Sequence, residues 1–214
     1  MNNRLKIIPH VLDTLDLKDL WMYATWHPFF QFFNHKAGWE HYRLLSHLSW
    51  QFPPGTTLVD IGTSCGFSAL ALAHNPAVKV ITYNIEDGIG KQTCSAHDKS
   101  NIEHRIKNCL DDIDTLLQSP LIMLDTAHEG DFEREVITAL LSHNYKGVII
   151  CDDIYLNAPM AHFWNWAPVQ KHDISSVGHW SGTGLLVFDE QNGVTVSIED
   201  HPTTKQTPPY APRS

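Results

Sequence analysis

The sequence lacks any run of the ~18–20 apolar residues that a membrane-crossing helix needs, so a membrane bundle is excluded and no membrane partner is expected. A basic surplus is also missing. Fifteen Lys and Arg face 24 Asp and Glu, a formal net charge of -9, whereas a protein holding nucleic acid by its phosphates would reverse that sign. Cysteine is scarce: Cys65, Cys94, Cys109 and Cys151 form no C-x-x-C pair. The apolar stretch near the start is broken by Pro9, His10 and Asp13, so it makes no secretory signal core. Reduced thiols and a cytoplasmic location are therefore expected. What the chain has in excess is histidine, at 14 copies. Protonating half of them near pH ~6.5 would bring the net charge close to neutral. Neither H-x-x-x-H nor H-E-x-x-H occurs among them, so no zinc site is expected.

Residues 1–50 read as a helical cap or lid. Trp21, Tyr23, Trp26, Phe29, Phe30, Phe32 and Phe33 crowd this segment, and Pro28 divides it. The block suits either core packing, a homodimer face, or a water-excluding wall over a substrate. After Pro53-Pro54-Gly55 the pattern changes. Thr57-Leu58-Val59-Asp60-Ile61, the run 78–83, Leu121-Ile122-Met123-Leu124 and Val148-Ile149-Ile150-Cys151 are near-continuous apolar strands, with helical spacing between them. Such alternation predicts an α/β domain over 51–200, with a Rossmann-like, mostly parallel sheet of seven strands covered on both faces. Leu185-Leu186-Val187-Phe188 and Val194-Thr195-Val196-Ser197-Ile198 flank Glu190-Gln191-Asn192-Gly193, which predicts a C-terminal antiparallel hairpin. Four prolines in 201–214 predict a mobile tail.

The first strand runs into Asp60-Ile61-Gly62-Thr63-Ser64-Cys65-Gly66-Phe67-Ser68, where two glycines four apart let a ligand approach the backbone. Ser64 stands where G-x-G-x-x-G has its second glycine, and no lysine follows Gly66, so the dinucleotide and triphosphate readings lose their basis. The string Val59-Asp60-Ile61-Gly62-Thr63-Ser64-Cys65-Gly66 resembles motif I of class I S-adenosylmethionine-dependent methyltransferases. Over about residues 38–199 the order of later motifs is similar. The resemblance implies that Asp60, Gly62, Thr63, Ser64, Gly66, Phe67 and Ser68 support the methionine part of S-adenosyl-L-methionine. It also implies that the end of the second strand meets the ribose. There the sequence has Asn84-Ile85-Glu86 in place of the usual acidic residue, so either Asn84 or Glu86 takes that role. An amide bonds a diol without charge assistance. Leu110, after the third strand, is placed at the adenine, and Glu40 lies within reach of the cofactor.

Asp125 follows the fourth strand and Asp152-Asp153 end the fifth. Three carboxylates beside the methyl group would suit Mg²⁺ or another divalent cation. The set resembles the metal site of catechol-type and macrocin-type O-methyltransferases, in which the metal lowers the pKa of a substrate hydroxyl. Caps for Asp125 and Asp153 are the plainer reading. His128 stands where a general base is needed, with Asp125 as its catalytic companion. The strings 178–184 and 40–45 are similar to those of unassigned methyltransferases. The first reads as structural, because it would lie at the far edge if the strand after it were parallel.

The expected activity is methyl transfer to a small-molecule oxygen nucleophile, with or without the assistance of a divalent metal. The rivals are a metal-independent carboxylate or N-methyltransferase, a non-catalytic S-adenosylmethionine-binding protein, and a nucleotide-sugar or NAD enzyme.

Overall fold

A computed structural model describes residues 4–24, 30–86, 98–189 and 195–199. Seven strands form one sheet in the order β4-β3-β2-β5-β6-β8-β7. They are β2 (Thr57–Ile61), β3 (Lys79–Asn84), β4 (Ile102–Ile106), β5 (Leu121–Leu124), β6 (Val148–Asp152), β7 (Gln170–Asp173) and β8 (Thr183–Val187). The first five are parallel, and β8 runs antiparallel to both β6 and β7. Chain order reverses between β2 and β5, which creates a switch-point crevice at their carboxyl ends.

The strands read as unbroken apolar runs because both faces of the sheet are covered. Side chains nonetheless alternate between two cores. Leu58, Val80, Met123, Ile150 and Leu185 point to the face packed by α2 (Tyr42–Ser49) and α3 (Phe67–Leu72). Val59, Ile81, Ile122, Ile149 and Leu186 point to the other, covered by α5 (Asp131–Ser142) and α6 (Ala158–Trp166). The short α4 (Ile113–Gln118) adds Leu116 to the second core.

The N-terminal segment is less helical than its pattern predicts. It holds β1 (Arg4–Ile7), a six-residue α1 (Pro9–Thr14) and two 3-10 turns, Lys18–Tyr23 and Phe30–Asn34. Leu5, Ile7, Leu12, Leu17, Leu20 and Phe33 are buried in the same core as α2 and α3. The Phe33 ring centroid lies 5.1 Å from that of Tyr42 and 5.2 Å from that of Phe67, and Trp21, Tyr23 and Phe30 pack partly buried against the same core. Trp26, Pro28 and Phe29 fall outside the described residues, as do Cys94, the 190–193 turn and the 201–214 tail.

The sheet ends in an antiparallel pair, as the pattern predicts, but with different strands. The seventh strand is Gln170–Asp173, whose polar, edge-exposed residues carry no strand signal. Thr195–Ile198 (β9) leaves the sheet and pairs in parallel with β1, setting Ile7 beside Ile198. Because β8 runs antiparallel, Thr183 at its start lies beside Asp152 at the end of β6. The 174–182 segment therefore reaches the carboxyl edge, not the far edge a parallel strand would give. Among the described residues no helix is long and apolar enough to cross a membrane.

Candidate functional site

The carboxyl edge begins with the glycine turn. Gly62 and Thr63 donate their amides to the Tyr83 carbonyl at 2.9 and 3.1 Å, and the Gly66 amide closes the turn on Thr63. Gly62 has φ +102°, and a Cβ there would lie 1.6 Å from the Asp125 carbonyl oxygen. Only glycine fits that crossing, which locks the turn against the end of β5. Beneath the turn, the Thr82 hydroxyl donates to Asp60 Oδ2 at 2.6 Å and lies 2.6 Å from the Thr63 hydroxyl. Asp60 is fully buried, and burial pushes this carboxyl up to about 7 against the hydrogen bonds from Thr82 and Ser68. Phe67 and Ser68 are buried at the start of α3, so they support the turn from below. At the end of β3, Asn84 Nδ2 donates to the Glu86 carbonyl at 2.8 Å, which leaves the amide oxygen and the second N–H to offer a hydroxyl. Ile85 is 73% exposed beside it, and Glu86 is exposed. Leu110 is half-buried in the 3-10 turn Cys109–Asp112 after β4.

The other half of the edge is a cluster of carboxylates and imidazoles. His128 Nε2 lies 3.1 Å from Asp125 Oδ1 and 3.2 Å from Asp153 Oδ2. Asp153 Oδ1 is 3.0 Å from His179 Nδ1 and accepts a close bond from the Ser181 hydroxyl. His179 Nδ1 is also 3.3 Å from Asp152 Oδ2, and Nε2 is 3.7 Å from Glu40. Asp152 Oδ1 faces His41 Nδ1 at 3.3 Å. Four separate segments supply these groups. The Gly38 amide donates to the Gly178 carbonyl at 2.9 Å, which holds 40–41 against the 178–181 loop. Asn157 caps α6 by accepting from the Met160 amide, and its Nδ2 donates to the His128 carbonyl at 3.0 Å. Ser64, His128 and Asp153 all hold positive φ, at 44°, 59° and 58°, so backbone strain gathers at this edge.

The charges set one another. Against the cost of burial, the hydrogen bond to Asp125 and the charges of Asp125, Asp153 and Asp152 raise His128 to about 8. Bonds to Asp152 and Asp153 likewise overcome burial at His179 and raise it to about 11. Against its burial, His41 is raised as well, by the charge of Asp152 together with a hydrogen bond to it. Burial opposes ionisation of Asp152, yet His41 and His179 hold it well below the carboxylate range. Burial pushes Asp125 upward, offset in part by its bond from His128. A histidine flanked by two carboxylates can take up a proton and keep its orientation while doing so.

The expected residues thus separate into two groups. Gly62, Thr63, Ser64, Gly66, Asn84, Ile85, Glu86 and Leu110 lie along the ends of β2, β3 and β4. Asp125, His128, Asp152 and Asp153 gather at β5 and β6, and Glu40 lies beside His179. Asp153 does not cap α6, since Asn157 does, and α5 begins at Gly130 with Glu133 closing its first turn. Among the described residues, the group whose ligand atoms all lie within 4.8 Å of one another is His41, Asp152 and His179. It shares only Asp152 with the expected trio Asp125, Asp152 and Asp153. His179 and Ser181 were hidden by the direction assumed for β8. The glycines around them do pack structurally: a Cβ on Gly182 would fall 2.7 Å from the Tyr155 ring and 2.8 Å from Ile154.

No family model and no curated protein matches the chain. Solved structures resemble it distantly. An O-methyltransferase family protein from Burkholderia thailandensis is 17% identical, with a TM-score of 0.47 over 69% of this chain and 55% of that one. Precorrin-6y C5,15-methyltransferase from Geobacter metallireducens is 12% identical, at 0.46 over 62% and 73%. Aeropyrum pernix fibrillarin with natively bound S-adenosyl-L-methionine is 9% identical, at 0.43 over 63% and 67%. The fold stands on the sheet itself rather than on these likenesses. A parallel β4-β3-β2-β5-β6 core, an antiparallel β8 inserted before β7, and a glycine turn at the switch point give this chain a Rossmann-like α/β fold.

Proposed function

We propose that the protein transfers a methyl group from S-adenosyl-L-methionine to an oxygen nucleophile on a small molecule. The observation that carries this reading is His128, held between Asp125 and Asp153 at the same edge as the glycine turn. Gly62 sets that turn directly against Asp125, so donor and base sides meet at one point.

The residues present fit the donor. Asn84, the exposed Ile85 and the half-buried Leu110 offer hydrogen-bonding groups for a ribose and apolar surface for a base. S-adenosyl-L-methionine supplies a methyl carbon on a positively charged sulfur. His128, whose Nε2 faces both carboxylates, would take at Nδ1 the proton that an acceptor hydroxyl loses as its oxygen bonds to that carbon. The carbon–sulfur bond breaks, and its electron pair stays on sulfur. Asp125 and Asp153 orient the imidazole and stabilise its protonated form. Tyr155 and Leu156, exposed just past Asp153, offer an apolar surface for the acceptor. Much of the rate would come from holding donor and acceptor at attack distance. The three carboxylates alone fit Mg²⁺ poorly, because Asp125 and Asp153 both face His128 and Asp153 also accepts from Ser181.

The test is a melting series with S-adenosylmethionine and S-adenosylhomocysteine, followed by mass-spectrometric screening of hydroxyl, carboxyl and amine acceptors. Stabilisation by both ligands and methylation of a hydroxyl compound are expected. Methylation of carboxylates or amines alone, with His128→Ala fully active, would overturn the oxygen-nucleophile reading. Binding without turnover on any acceptor would point to a non-catalytic protein.

A further inference from the structure

We infer that His41, Asp152 and His179 form a binding site for a borderline-soft divalent transition metal of the zinc, cobalt or iron(II) class. The three donors come from the start of α2, the end of β6 and the segment entering β8, and their ligand atoms lie within 4.8 Å of one another. His41 Nδ1 and His179 Nδ1 each lie 3.3 Å from an oxygen of Asp152. Donors bound at ~2.1 Å to a single ion are separated by about 3.0–3.4 Å, so the two histidine–carboxylate spacings already suit a shared ion.

A second, independent observation points to a ligand. His41 is only 2% exposed; its Nδ1 faces Asp152 at 3.3 Å, and its Nε2 has no partner among the described residues. A buried imidazole held by one long carboxylate contact and otherwise unpartnered is costly unless something else engages it. Charge agrees: among the described residues no Lys or Arg is paired with Asp125, Asp152 or Asp153, and all their ion pairs are to histidines.

The donor set selects the metal. Mg²⁺ and Ca²⁺ prefer all-oxygen shells, whereas two imidazoles and one carboxylate suit zinc, cobalt or iron(II). Three protein ligands leave coordination positions open, as catalytic sites do. Glu40, 3.7 Å from His179 Nε2, is placed to accept the outer N–H of a histidine ligated through Nδ1, the usual arrangement around such ions. In the proposed reaction an open position would take the acceptor oxygen and make its proton easier for His128 to remove. The inference rests on the methyl-transfer reading only for this use of the ion.

The experiment uses the full chain stripped with a chelator and titrated with Co²⁺, Zn²⁺ and Mg²⁺, with S-adenosylhomocysteine titrated in parallel. One equivalent of Co²⁺ is expected, with visible ligand-field absorption that Zn²⁺ displaces and excess Mg²⁺ does not. His41→Gln and His179→Gln should each weaken Co²⁺ binding by about 100-fold or more, since even outer residues of such sites change affinity ~10–100-fold. Asp125→Asn should still bind Co²⁺. Should the histidine variants misfold, the Co²⁺-loaded wild type serves instead, with two paramagnetically shifted imidazole N–H resonances expected. Absence of Co²⁺ binding, absence of shifted imidazole protons, or loss of binding in Asp125→Asn would each overturn the site. Co²⁺ binding without S-adenosylhomocysteine binding would overturn the methyl-transfer reading alone. The reverse result would overturn the metal site alone.

Discussion

Above β2, β3 and β4 the carboxyl edge is made largely by contiguous chain, with residues 60–68 supplying strand end, turn and helix start in one sweep. Above β5, β6 and β8 it draws on residues 40–41, 125–128, 152–153 and 179–181, which only the sheet order brings together. The first half is mostly backbone and neutral side chains. The second holds four carboxylates and three imidazoles. Binding a fixed donor needs a fixed backbone shape, whereas handling protons or a metal needs charged groups from several directions. Gly62 is the joint between the halves, because its Cα sits directly against the Asp125 carbonyl.

Breaking that joint should give the largest effect. A Cβ on Gly62 would meet backbone at 1.6 Å from a left-handed conformation, so Gly62→Ala should cost about 4 kcal/mol or more, or yield no folded protein. Urea denaturation checks this, and a near-native midpoint would mean the two halves are not pinned together. Next comes His128→Ala, expected to lower turnover by about 10²–10⁴-fold while leaving S-adenosylhomocysteine affinity close to wild type. Equal losses in rate and affinity would erase the division between a donor half and a proton-handling half.

The two halves also differ in how much of them the sequence reveals. The glycine turn is legible because its residues are adjacent and their spacing is the signal. Asp125, His128, Asp152 and Asp153 are legible as strand-end residues once the apolar runs are recognised. His179 and Ser181 are not, because their position depends on β8 running antiparallel, and the strand that reveals this, Gln170–Asp173, is short, polar and exposed. The chain after Phe188 carries a turn signal at 190–193 that suggested a hairpin with β8. Tertiary pairing sends Thr195–Ile198 to Arg4–Ile7 instead, a contact across nearly the whole chain that local pattern cannot register.

Two smaller predictions sharpen the donor half. Asn84 offers a ribose hydroxyl only uncharged hydrogen-bonding groups, so Asn84→Asp should tighten S-adenosylhomocysteine binding by roughly 1 kcal/mol, or several-fold, in calorimetry. No change or a weakening would move the ribose contact elsewhere. The smallest effect lies at the Arg105–Asp112 pair, which ties the end of β4 to the turn carrying Leu110. Though burial opposes it, bonds from Lys107, Tyr83 and Arg105 hold the Asp112 carboxyl well below its usual value. Such a depressed carboxyl stabilises the fold above the unfolded-state value of about 4 and loses that contribution as pH falls through the folded value. Asp112→Asn should therefore cost about 1 kcal/mol at most at pH 7, with the gap to wild type closing at strongly acidic pH. A gap that widens as the pH falls would reverse the assigned sign.

The most direct measurement is calorimetric titration of the intact chain with S-adenosylhomocysteine. One equivalent should bind, and Gly66→Val, which places a β-branched residue at a left-handed position of the turn, should abolish binding. No binding of S-adenosylhomocysteine or S-adenosylmethionine to the folded wild-type protein would contradict the methyl-transfer reading at its base.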